Sequence, residues 1–304
     1  MMKEIINMEE EQNRLIEVCR FTWEMKAASE VWSFERDIYD WYMQQRPKCR
    51  SVYLPLFWMA IWRVAHRYPD DAVSELAVGI SNIYNSLNSQ IHYHTVASEV
   101  HCNNQSFPPL PPNVHVYGPG YNYGEDEGIT CHEIPLLPFF QKVTFNRKRD
   151  IFCSYFITGE YRCRKELNRF LYGREGSCHD DFVVSFRVPF LIYCELLSRS
   201  VFVLTPRGTN IAVYRLYEAI QYGAIPVYIS DKYSLPYSDE VDWNRLAVLI
   251  HPNDIAKIPA VLRRISPEQI QKMQAYGKWF MRNYINLEKL FKRIFQHADR
   301  ISRL

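Results

Sequence analysis

The stretch Val201–Asp231, VFVLTPRGTNIAVYRLYEAIQYGAIPVYISD, decides the fold that this chain is expected to adopt. Its first residues, Val201–Thr205, are apolar or β-branched and typical of a buried strand, and Ile225–Ile229 is a second run of that kind. Apolar residues recur at helical spacing between the two runs. This order of strand, helix and strand predicts a βαβ unit, whose strands lie parallel in one sheet.

The turn between the first strand and the helix carries the tripeptide PRG at positions 206–208. Thr209 or Asn210 can cap the helix that follows, and Gly223 occupies the position of a left-handed C-cap. The helix N-terminus is then expected beside the tripeptide, with its unpaired amides and the positive end of its dipole. This arrangement favours an anionic ligand, and a diphosphate is the one we expect.

Composition and charge limit the function classes that fit the chain. With 47% hydrophobic residues, the 304 residues can form about two globular domains, which excludes a disordered or fibrous chain. The formal net charge is +2 and the charges alternate in sign, so nothing favours a nucleic-acid partner. The sequence shows no signal-peptide core and no long apolar segment, which predicts a soluble, cytoplasmic protein without a membrane anchor. The oligomeric state is left open.

The eight cysteines are spread along the chain without a CxxC pair. This spacing predicts free thiols in a reducing compartment. A disulfide between Cys153 and Cys163 is the alternative interpretation.

A second group of residues has ligand types that suit zinc: His92, His94, His101 and Cys102. Alternating histidines share one face of a strand, so they can converge on an ion. Their spacing matches no compact zinc finger, and no second ligand pair follows. We therefore expect no metal site, with zinc as the alternative.

Strands and helices alternate along the second half of the chain, which predicts a parallel sheet. The predicted elements there are a strand over 151–157, a helix over 162–171, a strand over 182–186, a helix over 189–198, the Val201–Asp231 unit, a strand over 246–250, a helix capped by Asn253, another capped by Ser266 and a last helix over 287–301. In the first half, residues 3–45 have helical patterns, and the strand candidates are 51–57, 93–100 and 114–117.

Several of these segments together resemble the signature of the exostosin-like glycosyltransferases, glycosyltransferase family 47. The run Leu204–Asp231 carries most of the likeness, and LPYSDEVDW at 235–243, FCSYFITG at 152–159 and PEQIQKMQ at 267–274 extend it over most of residues 146–275. The likeness is thinner in the first half, where SVYLPLFW, HTVASEVH and VHVYGPG resemble strands of the family.

The resemblance implies an α/β, GT-B-like fold with two Rossmann-like domains that face each other across a cleft. Residues 1–145 are then expected to form the acceptor-binding domain and residues 146–280 the nucleotide-sugar-binding domain. The C-terminal helix within 281–304 can pack back on the first domain. The partners implied are a nucleotide sugar and a glycan acceptor.

The candidates for holding the nucleotide sugar are Arg162, Arg164, Arg207, Gly208, Arg215, Glu218 and Asp231. Arg207 and the Gly208 amide lie where a leaving diphosphate would meet the helix, with Arg215 one turn into it. Arginine can bind two phosphate oxygens at once, and Arg162 or Arg164 can join the group. Each arginine can instead be an ordinary salt-bridge partner.

Two carboxylates complete this candidate site. Glu218 lies three residues after Arg215 on about the same helix face, and the resemblance implies that it binds the ribose. An intrahelical ion pair with Arg215 is the alternative. Asp231 follows the second strand, where open α/β sheets place ligand contacts, although it can equally cap the next turn.

The base that deprotonates the acceptor is expected in the first domain. Glu99 and His101 are two residues apart and share a face of a predicted strand, and Asp126 lies in an acidic loop. The family usually shows more acidic or histidine-aspartate character after this strand than the SEVHC of this chain. The identity of the base is therefore left open among the three.

The function that the resemblance implies is inverting transfer of a sugar from a UDP-sugar to a glycan hydroxyl, with Arg207 stabilising the leaving diphosphate. A pentose such as xylose is the sugar we expect. The chain has no DxD pair for a metal-diphosphate complex, so we expect metal-independent transfer and no cofactor besides the donor substrate. A catalytically silent glycan- or nucleotide-binding subunit of a glycosyltransferase complex is the alternative.

Overall fold

The computed structural model of the chain divides into two compact units, Met1–Ile134 with Leu287–Leu304, and Pro135–Asn286. The structure describes residues 7–25, 28, 34–97, 107–119, 130–135, 143–145, 147–157, 159–160, 163–172, 181–208, 211–233 and 235–303. Within these ranges no helix is both long enough and apolar enough to cross a membrane.

The first unit contains a four-stranded parallel sheet in the order β1-β2-β3-β4. Its strands are β1 Val52–Tyr53, β2 Tyr93–Val96, β3 Val114–Gly118 and β4 Thr130–Glu133. Its helices are α1 Met8–Glu24, α2 Phe34–Gln45, α3 Trp58–Arg67, α4 Asp70–Asn85 and, from the end of the chain, α10 Leu287–Ile301. Helix α10 packs through Phe295, whose ring contacts those of Tyr42, Tyr53 and His94.

The second unit contains a five-stranded parallel sheet in the order β6-β5-β7-β8-β9. Its strands are β5 Ile151–Ile157, β6 Phe182–Phe186, β7 Ser200–Pro206, β8 Ile225–Ile229 and β9 Val248–Ile250. Its helices are α5 Cys163–Tyr172, α6 Phe190–Arg199, α7 Tyr214–Gln221, α8 Ile258–Arg263 and α9 Pro267–Tyr284, with 3₁₀ turns at Trp243–Arg245 and Pro252–Lys257. The predicted α/β class with two Rossmann-like units is confirmed.

Strand β7 shows why the strands of the second sheet have continuous apolar sequences. Phe202 and Leu204 pack into a cluster with Leu167, whereas Val203 packs into a separate cluster with Leu197. Since alternate residues of a strand point to opposite faces, both faces of β7 are covered. All five side chains are fully buried.

The unit boundaries differ from the ranges 1–145, 146–280 and 281–304 that the sequence suggested. The first unit ends at Ile134, and the second extends to Asn286. The second unit extends past 280 because α9 continues to Tyr284, which packs with Phe280 against the cluster around Trp243.

The predicted βαβ unit forms as strand β7, helix α7 and strand β8, and Gly223 has the predicted left-handed φ of 75°. The predicted start of the helix is wrong. Its N-cap is Val213, which is extended at φ −131° and ψ 116°, as suits a β-branched residue. Thr209 and Asn210 lie outside the described residues. The first helical residue is Tyr214, so the PRG tripeptide is not in the first turn.

Two other predicted elements change. The strand over 51–57 shrinks to β1 because the chain turns around Pro55, where the Leu56 amide donates to the Leu54 carbonyl at 2.9 Å. The helix predicted after Asn253 begins as the 3₁₀ turn Pro252–Lys257, which is capped by His251, and it becomes α-helical only from Ile258, as α8. The capping box at Ser266 is confirmed.

The described cysteines are all free thiols: Cys19, Cys49, Cys131, Cys153, Cys163 and Cys194. Cys153 and Cys163 are both among them. The free-thiol prediction is therefore confirmed for these six residues, and the alternative disulfide is wrong.

Candidate active site

The second sheet has a topological switch point between β5 and β7. Strand β6, which follows β5 in the chain, pairs with one edge of β5, and the next strand, β7, pairs with the other edge. Open α/β sheets bind ligands in the crevice outside the carboxyl ends of the strands at such a point. Phe156 lies near the end of β5 and Pro206 ends β7, so the side chains around these two residues define the candidate site.

Arg215 reaches the end of β5 from the first turn of α7. Its Nη1 donates to the Phe156 carbonyl at 2.6 Å, and its guanidinium carbon lies 5.6 Å and 5.9 Å from the ring centroids of Phe156 and Tyr193. The hydrogen bond and the cation–π contacts orient the guanidinium plane. Its Nε is buried and has no hydrogen-bond partner among the described residues.

Arg164 reaches the end of β7 from the first turn of α5. Its Nε donates to the Pro206 carbonyl at 3.4 Å. A Cβ placed on Gly208 would lie 2.9 Å from Nη2 of Arg164, so the missing side chain at this glycine makes room for the guanidinium. Burial, and then the nearby charge of Arg215, lower the pKa of Arg164. Arg164 and Arg215 are thus two partly buried cations, and the charge of Arg215 acts on Arg164. Such a pair favours an anionic ligand beside it.

Arg207 is 1% exposed and forms an ion pair with Asp231, its Nη1 donating to Oδ1 at 2.5 Å. The Arg207 amide also donates to the Ile229 carbonyl at 2.9 Å, and Cys163 Sγ donates to the Arg207 carbonyl at 3.5 Å. The predicted residues Arg207 and Asp231 thus form an ion pair with each other. This pair connects the turn after β7 to the turn after β8.

Glu218 is 8% exposed on α7, and its Oε2 accepts a hydrogen bond from the Tyr193 hydroxyl. Its Oε1 has no hydrogen-bond partner in the described part of the chain. Burial raises the pKa of the Glu218 carboxyl, while the Tyr193 hydrogen bond and the Arg215 charge lower it. The alternative ion pair within the helix is not formed, since Arg215 bonds instead to Phe156.

This set of side chains offers hydrogen-bond donors and acceptors that suit phosphate oxygens and hydroxyl groups. The structure brings together Arg164, Arg207, Gly208, Arg215, Glu218 and Asp231 around the ends of neighbouring parallel strands. Guanidinium groups bind phosphate oxygens through paired hydrogen bonds, and a carboxylate oxygen accepts hydrogen bonds from hydroxyl groups.

The remaining predicted residues lie outside the described part of the chain. They are Arg162 and the candidate bases Glu99, His101 and Asp126. Their roles stay predictions.

The alternative zinc site falls partly on the same undescribed residues, since only His92 and His94 of its four members are described. Within the described ranges, no group of three His, Cys, Asp or Glu residues is arranged to hold a metal ion. His94 is fully buried, and its Nδ1 is 2.8 Å from the Ser51 hydroxyl.

The first unit instead contains a row of hydrogen-bonded imidazoles on one face of its sheet. His92 Nδ1 lies 3.3 Å from His115 Nε2, and His115 Nδ1 lies 3.2 Å from His132 Nε2. Beyond the row, the His132 ring packs edge-on against His297 of α10 at 4.6 Å. We refer to His92, His115 and His132 as the histidine row.

Sequence reasoning missed one residue of the candidate site, Tyr193. It lies in a helix whose apolar pattern, FLIYCELL, indicated only packing. Its hydroxyl meets Glu218 across a gap of 25 residues in sequence. A tertiary contact of this kind leaves no periodic signal.

In a comparison with known proteins, residues 145–265 match the model of one family, the exostosin GT47 domain. The chain is 32% identical over 112 residues to the exostosin-1 homolog of Caenorhabditis elegans, a match that covers 35% of this chain and 29% of the worm protein. It is also 32% identical over 92 residues to human exostosin-2, covering 30% of this chain and 13% of that protein. The matches thus span less than a third of these relatives. The resemblance to exostosin-like glycosyltransferases is confirmed.

Among solved structures, a sucrose-phosphate synthase from Thermosynechococcus elongatus is similar at a TM-score of 0.48 and 9% identity. That match covers 88% of this chain and 77% of the synthase chain.

Proposed function

Since residues 145–265 match the exostosin GT47 domain family, we propose that the protein is a glycosyltransferase that moves a sugar from a UDP-sugar to a glycan hydroxyl. The observation that most supports this proposal is the convergence of Arg164, Arg215 and Glu218 at the switch point of the second sheet. In the proposal, the two arginines bind the diphosphate and the carboxylate binds the ribose. Arg207, which was expected at the leaving diphosphate, is 1% exposed and paired with Asp231, so in this proposal it takes its alternative role as a salt-bridge partner that holds the turn after β7.

Charge development accounts for these roles. As the bond between the sugar and the diphosphate breaks, negative charge accumulates on the leaving phosphate oxygens. Oriented guanidinium donors stabilise that charge without rearrangement of solvent. The acceptor hydroxyl attacks the anomeric carbon from the opposite face, which inverts its configuration, and a base takes up its proton. The candidate bases are still Glu99, His101 and Asp126.

The arginines also provide the charge that a divalent cation supplies in other sugar transferases, so we propose that transfer needs no metal. Extensive dialysis against a chelator should leave the rate unchanged. A rate that is lost on dialysis and restored by Mn²⁺ would contradict this part of the proposal.

The test begins with calorimetric binding of UDP and other nucleoside diphosphates, followed by product analysis with a panel of UDP-sugars that includes UDP-xylose. Arg215→Ala and Glu218→Ala should each reduce transfer at least about 100-fold, because each removes a charge-assisted contact at the reacting nucleotide. Arg199→Ala is the matched control, since Arg199 pairs with Asp150 on the surface of the same unit.

The outcomes separate the proposal from its alternative. Wild-type turnover by the Arg215 and Glu218 variants would contradict the assigned roles. Binding of UDP without turnover of any donor would favour a catalytically silent subunit of a glycosyltransferase complex.

A further inference from the structure

The buried carboxylate of Glu218 is oriented by a neighbouring side chain. The terminal torsion of a glutamate is broad, so its rotamer does not fix the plane of the carboxylate. In this protein the Tyr193 hydroxyl donates to Oε2. The other oxygen, Oε1, has no partner among the described residues, and Glu218 keeps 8% of its surface exposed.

Tyr193 is itself held rigidly. Its ring packs edge-on against Phe156, with centroids 4.6 Å apart and planes at 72°. The Arg215 guanidinium lies 5.9 Å from the centroid of the same ring and is fixed by its bond to the Phe156 carbonyl. Burial, and then the charge of Glu218, raise the pKa of the Tyr193 hydroxyl, so it remains a donor at neutral pH.

We propose that Tyr193 is a positioning residue: its hydroxyl engages one oxygen of Glu218 and turns the other oxygen toward the ribose hydroxyls of the bound nucleotide. This inference rests on the proposed function, because it assigns the partner of Glu218. A tyrosine with a purely packing role would affect all parts of the nucleotide equally. A positioning tyrosine affects only the contact that Glu218 makes.

The test compares the affinities of UDP and 2′,3′-dideoxy-UDP, measured by calorimetry on the full chain. The variants are Tyr193→Phe, Glu218→Gln and the double variant. We expect Tyr193→Phe to weaken UDP about tenfold, the effect of one hydrogen bond to a charged group, and to leave the dideoxy ligand unchanged. In the Glu218→Gln background, the loss of the Tyr193 hydroxyl should cause no further loss of UDP affinity.

Tyr222→Phe is the matched control, because it removes another partly buried hydroxyl of the same unit, one that accepts from the Val143 amide at 3.0 Å. It should leave the ratio of the two affinities unchanged. Thermal unfolding of each variant verifies that the fold is retained.

Each contrary result has a distinct meaning. Equal weakening of both ligands by Tyr193→Phe, or an additive loss in the double variant, would overturn the positioning role alone. A wild-type protein that binds UDP and the dideoxy ligand equally would overturn the ribose contact of Glu218 and the positioning role with it. A wild-type protein that binds no nucleoside diphosphate would overturn the proposed function as well.

Discussion

Arg207 donates to Asp231 across 2.5 Å, although the arginine side chain is 1% exposed and the aspartate side chain is 41% exposed. The pair therefore spans the boundary between the protein interior and solvent. An arginine remains charged at all accessible pH values, so its burial requires a partner carboxylate or an equivalent set of acceptors. Asp231 supplies that carboxylate from the turn after β8.

Removal of this carboxylate should destabilise the second unit. We expect Asp231→Ala to lower the free energy of unfolding by about 1–3 kcal/mol, since it takes a charged acceptor from a buried guanidinium. Urea unfolding followed by circular dichroism measures the change. Asp150→Ala, which breaks an exposed pair with Arg199, is the control and should have a much smaller effect. Equal effects of the two variants would contradict a structural role for the buried pair.

A side chain at position 208 should displace the guanidinium group of Arg164. The Cβ of Gly208→Ala would come within 2.9 Å of Arg164 Nη2, and the flexible guanidinium end can move away. We therefore expect UDP affinity to fall about tenfold, the effect of one charge-assisted phosphate contact, with little change in stability. Gly79→Ala is the control, because it introduces an equally close contact in the other unit, with its Cβ 2.9 Å from the Phe21 ring. It should leave UDP affinity unchanged. Unchanged affinity in Gly208→Ala would show that Arg164 does not contact the nucleotide.

Replacement of Arg215 by lysine should be costly although the charge is kept. A lysine ammonium cannot bond to the Phe156 carbonyl, contact two rings and present further donors in one plane. We expect Arg215→Lys to lower kcat/KM about 10- to 100-fold, which initial-rate kinetics with a UDP-sugar would measure. Arg199→Lys, at the surface of the same unit, should leave kcat/KM unchanged. Full activity of Arg215→Lys would reduce the role of Arg215 to that of a point charge.

The histidines of the first unit should make the protein less stable in mild acid. Burial, and then the charges of His297 and His115, lower the pKa of His132 to about 4, and burial lowers the pKa of His94 to about 3. The unfolded chain takes up protons on these rings near pH 6.5, whereas the folded chain does so only at lower pH. The free energy of unfolding should therefore fall as pH drops from about 6.5 toward 4.

Urea unfolding at pH 7.5 and pH 5 measures this effect, and we expect a loss of about 2 kcal/mol after allowance for solvent screening. His132→Gln should reduce the loss, while His66→Gln, which changes an exposed histidine of the same unit, should not. A wild-type protein as stable at pH 5 as at pH 7.5 would contradict the prediction.

Much of the fold is predictable because local patterns and packing agree. The run VFVLTP predicted a buried strand and Gly223 predicted a left-handed cap, and the structure contains both. Strand β4 was not predicted, because its sequence TCHE has no apolar alternation and lies at the edge of its sheet. The predicted start of α7 was wrong because two residues before the helix are held outside it. The Ile211 carbonyl accepts from the Tyr228 hydroxyl at 2.6 Å, and Val213 is extended, so the helix begins only at Tyr214.

The candidate site is predictable only where its residues lie on one continuous stretch. Arg207, Arg215 and Glu218 belong to the βαβ unit and could be identified from spacing. The partners that define their geometry come from elsewhere in the chain: Tyr193 from α6 and Phe156 from β5. Sequence patterns report the period of one element, and they do not report which elements meet.

The histidine row couples the tautomers of its members. His115 uses both ring nitrogens within the row, and a neutral imidazole carries one proton. If that proton is on Nε2, His115 donates to His92 Nδ1 and accepts from His132 Nε2, so all three rings are protonated on Nε2. If it is on Nδ1, all three are protonated on Nδ1. Nitrogen chemical shifts of a single ring would therefore report the proton positions in the whole row.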